Sequence, residues 1–276
     1  MKDLLAWFGL KRFPFDKNIK PSDMFDTEPL RECLARLEYI KRRGGILLLT
    51  GDPGVGKTLA MRRFVDSLNE NLFKPFYTPL ATLSRADLLY HINRLLGLTP
   101  RLSKSAIYNQ IQLTLLDSKE QSGKTILLII DEAHLLQTGP LEELRLLTNF
   151  KMDSYDPFIL ILSGQSDLRR VMEFAVMEPF SQRVAIRYHM PGLTLEETKH
   201  YVIRHLKIAG AQEPLFNDQA LQAIHEVSFG IPRKIGAVTE AALTYAMFDQ
   251  KRTVSPEMVL KQRFSQSLNR HFNIRF

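Results

Sequence analysis

Gly51-Asp52-Pro53-Gly54-Val55-Gly56-Lys57-Thr58 is the stretch whose residue types and spacing most directly imply chemistry. It fits the G-x-x-x-x-G-K-[ST] phosphate loop, in which glycines let successive backbone N–H groups point at phosphate oxygens. The N-terminus of a following helix adds partial positive charge. In such a loop Lys57 reaches the β- and γ-phosphates and the Thr58 hydroxyl ligates Mg²⁺. Residues Gly51 to Thr58, with Leu59 after them, are the candidate nucleotide-binding set, and ATP and Mg²⁺ are the expected cofactors. A second pair supports the first. Asp131-Glu132 closes the apolar run Thr125–Ile130, and two carboxylates at a buried strand end are costly without a cation or a task. Asp131 is then a partner of Mg²⁺ from just beyond its direct ligands, and Glu132 orients and polarises the attacking water. His134 follows closely, and a lone histidine here is assigned no chemistry.

These groups need a frame. Ile46–Thr50 before the loop is an apolar run of strand length, and Leu59, Met61, Phe64, Val65 and Leu68 after it repeat at helical spacing. Strand candidates recur at 46–50, 75–80, 125–130, 158–163 and 184–190. Helical stretches separate them at about 57–69, 84–97, 105–118, 140–148 and 166–174. That alternation predicts an α/β fold with a five-stranded parallel sheet and right-handed crossovers. After Pro191-Gly192 the pattern becomes helical. Thr194-Leu195-Glu196-Glu197 is a capping box, Gly210 a stop, Asn217 or Asp218 a cap, and Ser255-Pro256 a last helix start. The expected domains are 1–192, binding nucleotide, and 193–276, a small all-helical lid.

With 276 residues, 45% of them hydrophobic, the chain can fill one large core and a satellite. The single cysteine, Cys33, excludes an internal disulfide framework and suits a reducing cytoplasm. No run approaches the apolar length of a membrane span, so a cytoplasmic protein without a membrane partner is expected. The formal net charge of +7 favours an acidic partner, nucleic acid first. Lys41-Arg42-Arg43 and the segment holding Lys261, Arg263, Arg270 and Arg275 carry part of that excess.

The order of phosphate loop, Asp-Glu strand, polar fourth-strand end, arginine before the fifth strand and Gly230-Ile231-Pro232-Arg233 resembles the AAA+ ATPases along the whole chain. Phe8-Gly9-Leu10, Phe13-Pro14-Phe15, Ile130–Leu136 and Glu142–Asn149 are similar to the ExeA-type (general secretion pathway A) ATPase domain. That domain type recurs in transposition ATPases akin to TnsC, TniB, IstB and MuB. The resemblance implies a P-loop NTPase (AAA+) sheet ordered 5-1-4-3-2, with Ser163 or Gln165 as the sensor beside the γ-phosphate. It implies Arg183, with Arg187 as competitor, as a finger supplied in trans, and Arg233 as a lid arginine reaching the phosphates. Phe13, Phe15, Met24 and Phe25 are candidates for an adenine wall, with core packing the alternative for each. DNA-facing groups would come from Thr82, Ser84 and Arg85, and from the turn around Arg101 with Ser103 and Lys104. Helix capping is the competing account of these hydroxyls.

The function so implied is an ATP hydrolase that assembles on duplex DNA as a ring or helical filament of itself and recruits or activates a transposase. An ExeA-type ATPase of secretion-system assembly is the alternative. A nucleotide-gated adaptor or loader is the third.

Overall fold

The computed structural model describes residues 2–16, 25–79, 82–99 and 101–261; Met24 and the basic positions Arg263, Arg270 and Arg275 lie outside them. In chain order the elements begin with α1 (Lys2–Phe8), α2 (Glu28–Arg43), β1 (Gly45–Thr50), α3 (Lys57–Asp66), β2 (Phe73–Thr78), α4 (Arg85–Leu95) and α5 (Lys104–Glu120). They continue with β3 (Thr125–Ile130), α6 (Thr138–Leu147), β4 (Phe158–Gly164), α7 (Ser166–Met172), α8 (Glu178–Ser181) and β5 (Val184–His189). The helices α9 (Leu195–Ala209), α10 (Asp218–Ser228) and α11 (Pro232–Phe248) follow. The chain divides into two compact units, Leu30–Met190 and Met1–Pro29 with Pro191–Phe276.

In the first unit the five strands are all parallel, in the order β2-β3-β4-β1-β5. This is the expected 5-1-4-3-2 order. Burial explains why the strands could be read. Every residue of β1, β3 and β4 is buried, so these three are continuous apolar runs. The edge strands β2 and β5 are only partly buried and more polar. β2 also begins earlier than its apolar run suggests, because Phe73 and Lys74 already pair with Thr125 and Ile126. Pro75 sits within it, which an edge strand tolerates. The core gathers Leu48, Leu128 and Leu160 from the sheet with Leu88, Ile111, Leu144 and Phe180 from the helices.

α2 supplies a helix absent from the expectation. Its buried Leu30, Cys33, Leu37 and Ile40 recur at helical spacing. Lys41, Arg42 and Arg43 form its last turn, where cations favour the helix dipole. Part of the basic excess therefore has a structural role in a helix end.

In the second unit Thr194 and Glu197 form the capping box of α9, Gly210 ends it in the left-handed region, and Asn217 caps α10. Gly230 has φ +67, and a Cβ there would lie 2.1 Å from the Leu193 carbonyl oxygen, which requires glycine. The N-terminal stretch, expected with the nucleotide domain, packs here instead. Leu4, Phe8 and Leu10 share a core with Leu206, Ile224 and Leu243. The Lys11 N–H donates to the Ala209 carbonyl at 2.7 Å, and His205 Nδ1 lies 2.8 Å from the Pro14 carbonyl oxygen. Phe15 stacks on His205 with centroids 5.1 Å apart and presses on Gly236, while Phe25 meets the edge of Tyr201. For Phe13, Phe15 and Phe25, core packing within this unit is the arrangement found.

Candidate active site

The loop between β1 and α3 is shaped by close approach. A Cβ on Gly51 would fall 2.6 Å from the Met190 carbonyl oxygen and 3.1 Å from Val55. Gly54 and Gly56 have φ +90 and +114, where side chains are strained. Gly56 is the N-cap of α3 and provides no side-chain acceptor, so the first N–H groups of that helix open toward the loop. Lys57 is 8% exposed, and its Nζ donates to the carbonyls of Gly51 at 2.7 Å and Asp52 at 3.1 Å. The cradle is lined by donors and a buried cation, and it fits a polyphosphate.

Asp131 follows the last residue of β3, and its carboxylate is gripped from several elements. Thr58 Oγ1 donates to Oδ2 at 2.9 Å, and the Tyr77 hydroxyl donates to the same oxygen at 3.1 Å. Ser163 Oγ donates to Oδ1 at 2.8 Å, and the Glu132 N–H to the same oxygen at 3.0 Å. A hydroxyl and a carboxylate side by side under a phosphate cradle are the hard oxygen donors that Mg²⁺ takes. Burial, and then the Asp131 charge, push the Tyr77 phenol up to about 12, so it is a donor at neutral pH.

The chain turns at Glu132, which takes φ +53 and starts a short 3-10 turn, Ala133–Leu135. This bend separates two adjacent carboxylates into different surroundings. Asp131 is 3% exposed, whereas the Glu132 side chain is 48% exposed and open to water. His134 Nδ1 lies 3.5 Å from Glu132 Oε2, an electrostatic neighbour without a hydrogen bond. Gly164 makes room for it, since a Cβ there would stand 2.9 Å from the His134 amide nitrogen. Tyr77 belongs to no motif of the linear sequence, and nothing there marks its reach to Asp131.

Of the two sensor candidates, buried Ser163 is spent on Asp131. Gln165 occupies the N-cap of α7 without a side-chain cap bond. Arg233 is exposed in the first turn of α11, in the other unit.

Arg183 is not a projecting finger in the single chain. Its guanidinium donates to Thr148 Oγ1 at 3.1 Å and the Arg145 carbonyl at 3.3 Å, and it pairs with Asp153 at 2.9 Å. The side chain is 17% exposed. Asp153 is presented by three successive left-handed residues, Lys151, Met152 and Asp153. Arg187 donates to the carbonyl and hydroxyl of Ser181 at 2.5 and 2.8 Å. We expect Arg183→Ala to lower stability by about 1–3 kcal/mol through the hydrogen bonds it removes. Urea unfolding would show a lower midpoint at unchanged slope. A midpoint equal to that of the parent would remove the strut role.

Of the candidate DNA contacts, Arg85, Lys104, Ser84 and Ser103 are likewise engaged. Arg85 pairs with Glu142 and Lys104 with Glu143, each at 2.6 Å, fastening α4 and α5 to α6. Ser84 and Ser103 accept from the Asp87 and Ala106 N–H groups, so both are N-caps, the competing account of these hydroxyls. Thr82 and Arg101 are exposed.

The five-stranded parallel sheet, with a phosphate loop after β1 and an Asp-Glu pair after β3, has the AAA+ type of P-loop fold. Residues 40–172 match the AAA domain family. Over 248 residues the chain is 33% identical to General secretion pathway protein A of Aeromonas hydrophila, covering 87% of this chain and 44% of that protein. It thus spans less than half the length of this curated relative. Among solved structures it is similar to Cdc6p from Pyrobaculum aerophilum, with TM-score 0.63 and 16% identity over 89% of this chain and 68% of that one. It is also similar to the Aeropyrum pernix ORC1 protein in complex with DNA, with TM-score 0.64 and 19% identity over 94% of this chain and 70% of that one. At these identities the structural likenesses establish the fold.

Proposed function

We propose that this chain is a Mg²⁺-dependent ATP hydrolase that assembles on duplex DNA in its ATP state and recruits or activates a transposase. The hydrolase reading is carried by the Thr58 hydroxyl 2.9 Å from Asp131 Oδ2, directly after the phosphate loop and beside an open Glu132. The loop amides and Lys57 bind the β- and γ-phosphates. Thr58 and Asp131 would hold Mg²⁺, which neutralises phosphate charge when bound. Glu132 takes a hydrogen bond from the attacking water and draws its proton as the oxygen meets the γ-phosphorus. The bond to the β-phosphate oxygen breaks, and ADP and phosphate result.

The DNA role is supported by the +7 charge and by a fold shared with a relative described in complex with DNA. Arg85 and Lys104 are each about half exposed while paired with Glu142 and Glu143, so each keeps donors to offer a phosphate, with its charge partly offset by the carboxylate. Arg183 would act in trans only after leaving Asp153. The second reading, an ATPase of secretion-system assembly, is favoured by the 33% identity to General secretion pathway protein A. Among the described residues no helix is long and apolar enough to cross a membrane.

Fluorescence anisotropy of a labelled duplex, with and without a non-hydrolysable ATP analogue across a salt series, separates the two. The DNA reading expects ATP-dependent binding whose affinity falls steeply with salt. ATP-dependent assembly indifferent to DNA would sink it and favour the secretion reading.

A further inference from the structure

Tyr77 belongs to neither the phosphate loop nor the Asp-Glu pair, yet it reaches the centre of the site. We propose that Tyr77 is a positioning residue for the Asp131 carboxylate, clamping it from β2 while Ser163 holds it from β4. The inference rests on the ATP hydrolase reading above.

Sheet order makes the clamp. β3 lies between β2 and β4, and the register sets Tyr77 opposite Ile129 and Leu162 opposite Ile130. The residues that flank Asp131 therefore come from both neighbouring strands. Tyr77 and Thr58 donate to Oδ2, at 3.1 and 2.9 Å, while Ser163 and the Glu132 amide donate to Oδ1, at 2.8 and 3.0 Å. Each oxygen receives two donors, so the carboxylate cannot rotate without breaking bonds on both sides. Its Oδ2 stays aimed at Thr58, the other group that would hold Mg²⁺.

The ring of Tyr77 has its own place. With Thr58, Met61, Arg62, Val65 and Ile129 it lines a cavity of about 270 Å³ beside α3. A phenylalanine would supply the same wall, so the hydroxyl is the part that serves Asp131. A ligand group already fixed in its working orientation does not have to be ordered when the cation arrives, and binding is tighter for it.

The test is equilibrium binding of a fluorescent ATP analogue, in EDTA and across a Mg²⁺ titration, for the parent and for Tyr77→Phe. We expect affinity in EDTA to be unchanged. The Mg²⁺ concentration giving half of the metal effect should rise about three- to tenfold, the worth of one hydrogen bond. Ser163→Ala should shift it in the same direction, and the double variant further than either. Thermal unfolding of Tyr77→Phe near that of the parent shows that the ring still packs. An unchanged or lower Mg²⁺ requirement in Tyr77→Phe, beside a Mg²⁺-dependent parent, overturns the Tyr77 assignment alone. A parent that binds the analogue without any Mg²⁺ effect, or not at all, overturns the hydrolase reading and this assignment with it.

Discussion

Glu132→Gln should cut ATP turnover by about 10²- to 10⁴-fold, the usual loss when a general base is removed, while ATP affinity stays within a few-fold of the parent. The amide keeps the shape and can still orient a water, but it cannot accept the proton. Because the Glu132 side chain is 48% exposed and makes no buried hydrogen bond, its replacement should leave the fold intact. Phosphate release measured beside analogue binding would separate the two effects. Turnover within tenfold of the parent would mean that the base lies elsewhere, and His134, 3.5 Å from the same carboxylate, would be the first place to look. A slow variant that still binds ATP should also prolong whatever assembly the ATP state forms, which imaging of the complexes would show.

How much of this site could be read from sequence depends on how far apart its parts lie along the chain. The phosphate loop and Asp131-Glu132 are contiguous motifs, and each follows a strand buried on both faces, whose apolar run is itself visible. The grip on Asp131 is different. Tyr77 is 54 residues away and Ser163 is 32, and both arrive only because β2 and β4 flank β3. Pairings of charge were hidden in the same way. Arg85 and Glu142 are 57 residues apart, and in a linear view each basic residue looked available to an anion. The net charge of +7 says how many cations are in excess but not which ones are already matched. The N-terminal segment spans the longest separations, with Trp7 donating to the Lys251 carbonyl across 244 positions and His205 meeting the Pro14 carbonyl across 191. By contrast, the signal of α2 is local: Leu30, Cys33, Leu37 and Ile40 carry a helical spacing that runs into the basic last turn.

Lys57→Ala is the second large effect, and the structure says where its free energy is lost. The ammonium is buried and held by the Gly51 and Asp52 carbonyls, at 2.7 and 3.1 Å. Those acceptors belong to the loop itself, so Lys57 braces the loop before any phosphate arrives. On binding, the ammonium has charged phosphate oxygens to turn to, and a hydrogen bond between ions is worth roughly twice a neutral one. Removing it takes away a charge-assisted contact of about 1.5–3 kcal/mol per bond and the ammonium that ties the Gly51 and Asp52 carbonyls together. Nucleotide affinity should therefore fall by about two orders of magnitude or more. The overall fold should survive, because the β1, β3 and β4 core does not depend on this group. Isothermal calorimetry with ATP, beside thermal unfolding without it, reads both halves. Retained micromolar binding in Lys57→Ala would show that the loop amides alone hold the phosphates. Loss of binding together with a collapsed unfolding transition would instead make Lys57 a structural brace first and a phosphate ligand second.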